Sequence, residues 1–125
     1  MKKIIPVIGF AGAPFTLAGY CIEGGTSKSW LHAKSLMYRS PAAWHDLMDR
    51  IARAVSRYLV AQIDAGAECV QLFDSWVGCL SPADYRAFVL PHSRTAMREA
   101  SARVPVIHFA TGNPALLPLL AEAGG

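Results

Sequence analysis

The chain has 125 residues, a length that suits one modest domain. Hydrophobic residues make up 53% and charged residues 17% of it. Such apolar content favours strands that are buried on both faces, or a piece whose neighbours are absent. The net charge of +3 is scattered without a basic block, which argues against a nucleic-acid partner. No apolar stretch reaches the roughly 18 residues of a membrane span, so no membrane partner is expected either.

The amino-terminal residues and the cysteines together predict a cytoplasmic protein. Residues 1–3 and the apolar stretch after them have the outline of a signal peptide, but Pro6, Gly9 and Gly12 interrupt the stretch and favour a strand with a turn. The cysteines are odd in number and lack C-x-x-C spacing. We therefore expect reduced, buried thiols, with neither a disulfide nor a metal site.

The first predicted element is a strand over residues 4–10, where apolar residues run without polar alternation. Such continuous runs are typical of parallel strands that are covered on both faces. A loop is predicted after this strand, with Tyr20 among small residues. The loop continues through Gly24 and Gly25 without the spacing of a phosphate-binding loop, and Lys28 is expected near an anionic ligand.

The longest predicted helix begins at Ser40, a capping residue that precedes a proline in the first turn. Apolar residues then recur at spacings of three and four, which predicts one buried face, and Gly66 is the expected end. The apolar positions are Trp44, Leu47, Met48, Ile51, Val55, Tyr58, Leu59 and Ile63.

A second strand is predicted over residues 69–73, and polar side chains follow it at once. Asp74, Ser75 and Trp76 come directly after the apolar run and ahead of a helix start at Ser81. In proteins built from β/α units, the loops at the carboxyl ends of parallel strands carry most functional side chains. These residues therefore form a candidate site.

The remaining predicted elements are a broken helix, a strand and a final helix. Pro91 disfavours α geometry at the residue before it, so the second helix is expected to break there and resume over residues 94–102. A third strand is predicted over residues 104–109. Asn113 is expected to cap a last helix that ends at Gly124.

Strands alternate with helices along the chain, and this order predicts an α/β protein with a parallel sheet. A flavodoxin-like receiver would need paired acidic residues after the first strand, and a dinucleotide-binding domain would need G-x-G-x-x-G there. Residues 9–12 supply neither. The β/α units are too few for a complete fold, so we expect a section of a larger protein. A piece with only a structural or binding role is the alternative.

Several stretches of the sequence together point to one family. They are residues 9–17 (GFAGAPFTL), Tyr20, residues 23–25 (EGG), residues 73–78 (FDSWVG), residues 80–82 (LSP), residues 88–92 (FVLPH) and residues 105–109 (PVIHF). In this order they resemble the uroporphyrinogen decarboxylase family. The resemblance implies that residues 1–125 are a single segment from the central part of a TIM barrel, with about three consecutive β/α units.

The resemblance also implies a carboxy-lyase that needs no cofactor and takes the small molecule uroporphyrinogen as substrate. Loss of carboxyl groups from the acetate side chains would give coproporphyrinogen, in heme biosynthesis. By this resemblance a pyrrole carbon would be protonated, CO₂ would leave with the ring as electron sink, the new carbon would be protonated, and the ring carbon would release the proton it first gained. The family's arginines, catalytic aspartate and site histidine are not among these residues. We therefore expect no activity for the segment alone. The resemblance also implies that the whole enzyme is a homodimer.

By position in the family's motifs, the resemblance implies which residues bind the substrate. Tyr20 and Ser75 would offer hydroxyl groups to its carboxylates, whereas Phe10 and Phe73, at strand ends, would line the pocket of the macrocycle. Asp74 would be repelled by those carboxylates, so it is expected to fix the loop instead.

A zinc-dependent, corrinoid-linked methyltransferase of the same superfamily is the alternative enzyme. Those proteins hold zinc through a His-x-Cys at the end of the third strand and a later cysteine, the ligand types that zinc prefers. Here Phe109 and Ala110 follow His108, so the thiolate is missing and no metal is expected. His108 is expected on the same side of the sheet as the substrate-binding residues.

Overall fold

The computed structural model describes residues 5–25 and 29–125, so Lys28 and the predicted strand start at residue 4 lie outside the described residues. The strands are β1 (Ile8–Gly12), β2 (Cys69–Asp74) and β3 (Val106–Ala110). The helices are α1 (Pro14–Glu23), α2 (Leu31–Arg39), α3 (Pro41–Asp64), α4 (Pro82–Phe88), α5 (Leu90–Ser101) and α6 (Leu117–Ala123). Short 3₁₀ turns precede α4 and α6, at Val77–Cys79 and Pro114–Leu116. Within the described ranges, every helix is too short or too polar to cross a membrane.

The strands form one parallel sheet in the order β1-β2-β3, which confirms the predicted α/β class. Ile8 lies opposite Cys69, and Val70 lies opposite Val106. Each strand is followed by helix, so the arrangement is consistent with an arc of a TIM barrel, whose closed form takes about 250 residues. At the outer edge of β1, the side-chain amide of Gln62 donates to the Phe10 carbonyl and accepts from the Phe10 N–H, each at 2.9 Å.

Side chains alternate between a helix-covered face and an open face of the sheet. Val70, Leu72 and Asp74 of β2 are fully buried, whereas Phe10 is 61% and Ile107 is 45% exposed. Within this segment one face of the sheet is uncovered, as expected for a piece whose neighbours are absent. We call the open side the concave face, since a closed barrel would turn it inward. Its residues are Ile8, Phe10, Gly12, Cys69, Gln71, Phe73, Ile107 and Phe109.

Two prolines explain why β1 and β3 begin later than predicted. Pro6 and Pro105 both precede the strands, because proline has no N–H to donate to the ladder. At the other end, pairing continues beyond the predicted ends, to Gly12 in β1 and Ala110 in β3.

Helix α1 occupies the first part of the predicted loop, and α2 follows that loop. Pro14 lies in the first turn of α1, and Gly24 ends that helix with a φ of 77°. The Glu23 carboxylate accepts the N–H of Ala33 in the first turn of α2, at 3.0 Å, where helix N–H groups lack partners within the helix. Tyr20 therefore lies on a helix, and its predicted place in a loop is wrong.

The longest helix, α3, confirms the predicted start after Ser40 and most of the predicted apolar face. Trp44 is fully buried, its indole N–H donates to the Phe88 carbonyl at 2.9 Å, and its ring lies 6.1 Å from that of Phe15. Tyr58 is the exception, because 57% of it is exposed. The other buried members of the face are Met48, Val55, Leu59 and Ile63.

The chain bends between α4 and α5 at Val89, one residue before the predicted position. Pro91 lies in the first turn of α5, where its missing N–H removes no helical hydrogen bond. Proline therefore starts this helix instead of interrupting it. The predicted caps at Ser81 and Asn113 are confirmed, since their side-chain oxygens accept N–H groups of the following turn at 3.2 and 3.1 Å.

Candidate active site

The segments that follow the strands meet at one end of the sheet, which we call the carboxyl edge. After β1, the N–H of Ala13 donates to the carbonyl of Phe73 at 2.7 Å. After β3, the hydroxyl of Thr111 donates to the carbonyl of Ser75 at 3.0 Å. A Cβ on Gly78 would lie 2.4 Å from the Thr111 carbonyl oxygen, so only glycine fits this approach. Backbone contacts thus join the ends of the β/α units.

Phenylalanine rings line the concave face towards this edge. Phe73 meets the ring of Phe10 edge-on at 5.9 Å and that of Phe109 at 5.6 Å. Phe73 lies one residue before the end of β2, close to its predicted place, but Phe10 lies in the middle of β1 opposite Gln71. The rings form an open aromatic surface, on which a flat apolar ligand can pack.

Tyr20 reaches the carboxyl edge from α1. Its hydroxyl oxygen accepts the indole N–H of Trp76 at 2.6 Å, and its ring lies 6.0 Å from that of Trp30. Tyr20 is 37% exposed and lines a groove of about 460 Å³ between α1, α3 and the outer edge of β1. The phenol is held by a neighbour and remains accessible.

Ser75 is the first residue after β2 and is half-buried. Its carbonyl is held by Thr111, whereas its hydroxyl has no hydrogen-bond partner among the described side chains and backbone groups. Since Trp76 follows it directly, the Ser75 and Tyr20 hydroxyls both belong to the carboxyl edge. The structure brings these two predicted residues to one end of the sheet.

Asp74 lies on the helix-covered face of the sheet, where it is fully buried. One carboxyl oxygen accepts the Thr16 hydroxyl at 2.8 Å, and the Thr16 oxygen in turn accepts the N–H of Trp76 at 3.5 Å. Burial raises the pKa of Asp74 to about 7, although the Thr16 hydrogen bond opposes this shift. The carboxyl group therefore fixes the loop after β2 and does not face the concave side.

Further buried polar atoms accompany Asp74 in the helix layer. The second carboxyl oxygen of Asp74, the Tyr85 hydroxyl and the Ser93 hydroxyl are all buried without a hydrogen-bond partner among the described residues. Burial also raises the pKa of the Tyr85 phenol, with the nearby Asp74 charge as a second cause. A neutral Asp74 suits these surroundings, because an isolated charge there would be costly.

His108 is not on the side predicted for it. It lies opposite Leu72 in the sheet and points into the helix layer, where its Nδ1 lies 3.3 Å from the Leu120 carbonyl oxygen. Burial lowers the pKa of its imidazole. The prediction that His108 shares a side with Phe10, Phe73 and the hydroxyl groups is therefore wrong.

The thiols do not assemble with His108 into a metal site. Cys69 and Cys79 are half-buried and Cys21 is exposed, all three being free, so the expectation of buried thiols is wrong for Cys21. Over residues 5–25 and 29–125, no three histidine, cysteine or acidic side chains cluster in a way that could hold a metal ion.

Thr16 is a residue that the sequence did not single out, and the role of Trp76 towards Tyr20 was not predictable from it. Thr16 was visible only as part of the stretch GAPFTL, and its role depends on a partner far along the chain, Asp74. Trp76 had a signal, since it follows Asp74 and Ser75 at the end of a buried strand. That signal predicted a site but not the contact with Tyr20.

The parallel sheet with a helix after each strand places the chain in the class of β/α proteins, as an arrangement consistent with a segment of a barrel. Comparison with known proteins narrows this class. The chain belongs to the uroporphyrinogen decarboxylase family, whose model matches residues 1–125.

Curated relatives named uroporphyrinogen decarboxylase are similar over most of the chain. The protein of Carboxydothermus hydrogenoformans is 56% identical over 122 residues, which are 97% of this chain and 35% of the relative. A protein of Thermus thermophilus is 55% identical over 97% of this chain and 36% of the relative. The protein of Streptomyces coelicolor is 58% identical over 95% of this chain and 34% of the relative. The chain thus spans about a third of the length of the curated relatives it matches.

Proposed function

We propose that this segment serves the decarboxylation of uroporphyrinogen III to coproporphyrinogen III, as part of a carboxy-lyase that needs no cofactor. Relatives that bear the name of this activity, at more than half identity over most of the chain, are the observation that carries the proposal. The open aromatic surface and the two hydroxyl groups at the carboxyl edge support it, because the substrate combines apolar pyrrole rings with carboxylate side chains.

In this proposal the aromatic side chains contact the pyrrole rings and the hydroxyl groups bind the carboxylates. Phe10 and Phe73 pack against the pyrrole rings, where their faces and edges contribute apolar contact. Tyr20 and Ser75 donate their hydroxyl protons to acetate or propionate carboxylates, and hydrogen bonds to charged groups are the stronger kind. The acid that protonates the pyrrole carbon is not assigned to any residue of this chain.

A chimaera tests the proposal directly. These 125 residues would replace the matching third of the Thermus thermophilus relative. Purified chimaera is incubated anaerobically with uroporphyrinogen III, and coproporphyrinogen III is measured after oxidation to porphyrins. We expect turnover close to that of the parent enzyme, whereas the isolated segment, as a control, forms no product. A folded chimaera without turnover would contradict the proposal.

Tyr20→Phe and Ser75→Ala in the chimaera are each expected to weaken substrate handling. Each removes a donor to a carboxylate, with a cost of about 1–3 kcal/mol, or roughly 5- to 150-fold in kcat/KM. Steady-state kinetics with uroporphyrinogen III provide the measurement. Leu31→Ala is a suitable control, since Leu31 is 65% exposed on α2. Unchanged kinetics in both hydroxyl variants would contradict the proposed binding roles.

Metal analysis of the purified full-length protein decides between this enzyme and the zinc-dependent alternative. Ala110 stands where a thiolate ligand would be needed, and His108 points into the helix layer. We therefore expect no stoichiometric zinc by elemental analysis and full activity after treatment with a chelator. One tightly bound zinc per chain would favour the methyltransferase.

We also propose that the whole enzyme is a cytoplasmic homodimer. Analytical ultracentrifugation of the chimaera can check the dimeric state.

A further inference from the structure

The hydrogen bond between Trp76 and Tyr20 restricts what the Tyr20 hydroxyl can do. The indole N–H donates to the phenol oxygen at 2.6 Å. An indole has a donor and no acceptor, whereas a phenol has one proton to give. The phenol proton therefore cannot be used in this contact. The Tyr20 hydroxyl proton has to point away from Trp76, and it is available for a second acceptor such as a ligand atom.

Trp76 is itself held at both ends. Its backbone N–H donates to the Thr16 hydroxyl oxygen at 3.5 Å, and Thr16 uses its own proton on Asp74 at 2.8 Å. Its ring lies 5.6 Å from the buried ring of Trp30, which also lies beside Tyr20. The indole N–H thus has little freedom to move away from the phenol oxygen.

We propose that Trp76 is a positioning residue, which orients the Tyr20 hydroxyl so that its proton is presented to a carboxylate of the ligand. This inference rests on the proposed function, because it takes the acceptor to be a carboxylate of uroporphyrinogen. It adds a role for Trp76, a side chain that touches Tyr20 and need not touch the substrate. The hydrogen bond from the Trp76 indole also polarises the Tyr20 phenol, which makes the phenol O–H a stronger donor to the ligand.

The substitution Trp76→Phe keeps an aromatic ring beside Trp30 and removes only the indole donor. In the chimaera it is expected to lower kcat/KM by about 3- to 10-fold, the range for one hydrogen bond, and to act mainly through KM. Trp76→His retains a ring N–H and should recover part of the loss. Thermal unfolding of each variant shows whether the fold is intact.

A double-mutant cycle with Tyr20→Phe separates positioning from a general structural effect. If Trp76 acts through the Tyr20 hydroxyl, Trp76→Phe has little further effect once that hydroxyl is absent. Additive losses would overturn the inference, as would normal kinetics in Trp76→Phe while Tyr20→Phe is impaired; in both cases the proposed function stands. Normal kinetics in Tyr20→Phe itself would instead overturn the proposed binding role, and the inference with it.

An NMR measurement tests the contact without relying on activity. The indole N–H signal of Trp76 is assigned by its loss in Trp76→Phe. In Tyr20→Phe it should shift and exchange faster with solvent. The Trp44 indole, bonded to the Phe88 carbonyl at 2.9 Å, is the internal control and should not move. A Trp76 signal that Tyr20→Phe leaves in place would overturn the inference.

Discussion

Replacing Asp74 by asparagine is expected to abolish a loss of stability that occurs as the pH rises. Burial raises the pKa of Asp74 from 3.8 to about 7, so the folded state holds this proton more tightly than the unfolded state does. The protonated Asp74 side chain stabilises the fold fully at pH values below its pKa in the unfolded state. This stabilisation is lost as the pH rises through the pKa of Asp74 in the folded state. The loss is on the order of 4 kcal/mol. Asparagine resembles the protonated acid and carries no charge at any pH.

Denaturant unfolding of the chimaera and its Asp74→Asn variant, between pH 4 and 8, measures this effect. The difference in unfolding free energy between the two should be small at pH 4 and should grow in favour of asparagine towards pH 8. Asp46→Asn is the matched control, because Asp46 forms only an exposed ion pair with Arg50 on α3. A difference that does not vary with pH would show that Asp74 is ionised throughout.

Trp44→Ala is expected to be the most destabilising of the simple core truncations. The side chain is fully buried between α3 and its neighbours, packs against Phe15, and donates its indole N–H to the Phe88 carbonyl. Truncation leaves a large cavity and an unpaired carbonyl, with a cost of about 3–5 kcal/mol.

Two further variants locate the origin of that cost. Tyr58→Ala removes an aromatic ring from the same helix at a position that is 57% exposed, and should cost much less in the isolated segment. Trp44→Phe retains most of the packing but loses the indole N–H. Its loss of stability should therefore lie between those of Trp44→Ala and Tyr58→Ala. Denaturant midpoints are measured for all three. Equal losses for Trp44→Ala and Tyr58→Ala would mean that the helix packs differently from the structure.

The strand order and the long helix could be predicted because local signals and tertiary structure agree there. α1 could not, because its sequence contains Gly19, and glycine in a helix costs about 1 kcal/mol relative to alanine. The structure explains this glycine: a Cβ on it would lie 2.7 Å from the ring of Trp30. The helix accepts a poor helix former so that a buried tryptophan can pack against it. Only the tertiary contact reveals the reason.

The candidate site was predictable in composition but not in orientation. A continuous apolar run hides which residues share a face, so His108 was placed with the phenylalanines. In a strand, alternate residues share a face, and Phe109 rather than His108 lies opposite Phe73. The same alternation places Asp74 and Phe73 on opposite faces of the sheet. The roles of Tyr20 and Ser75 came from family resemblance, since a lone tyrosine or serine has no distinguishing local pattern.

The close approach at Gly78 has a mechanical consequence for the carboxyl edge. The loop after β2 touches the backbone after β3 at Gly78, and the Thr111 hydroxyl bonds to the Ser75 carbonyl beside it. Neither loop can therefore shift far without carrying the other. A ligand that pulls on Ser75 will displace the start of the segment before α6 as well. We therefore expect the two loops to move together when a molecule binds at this edge.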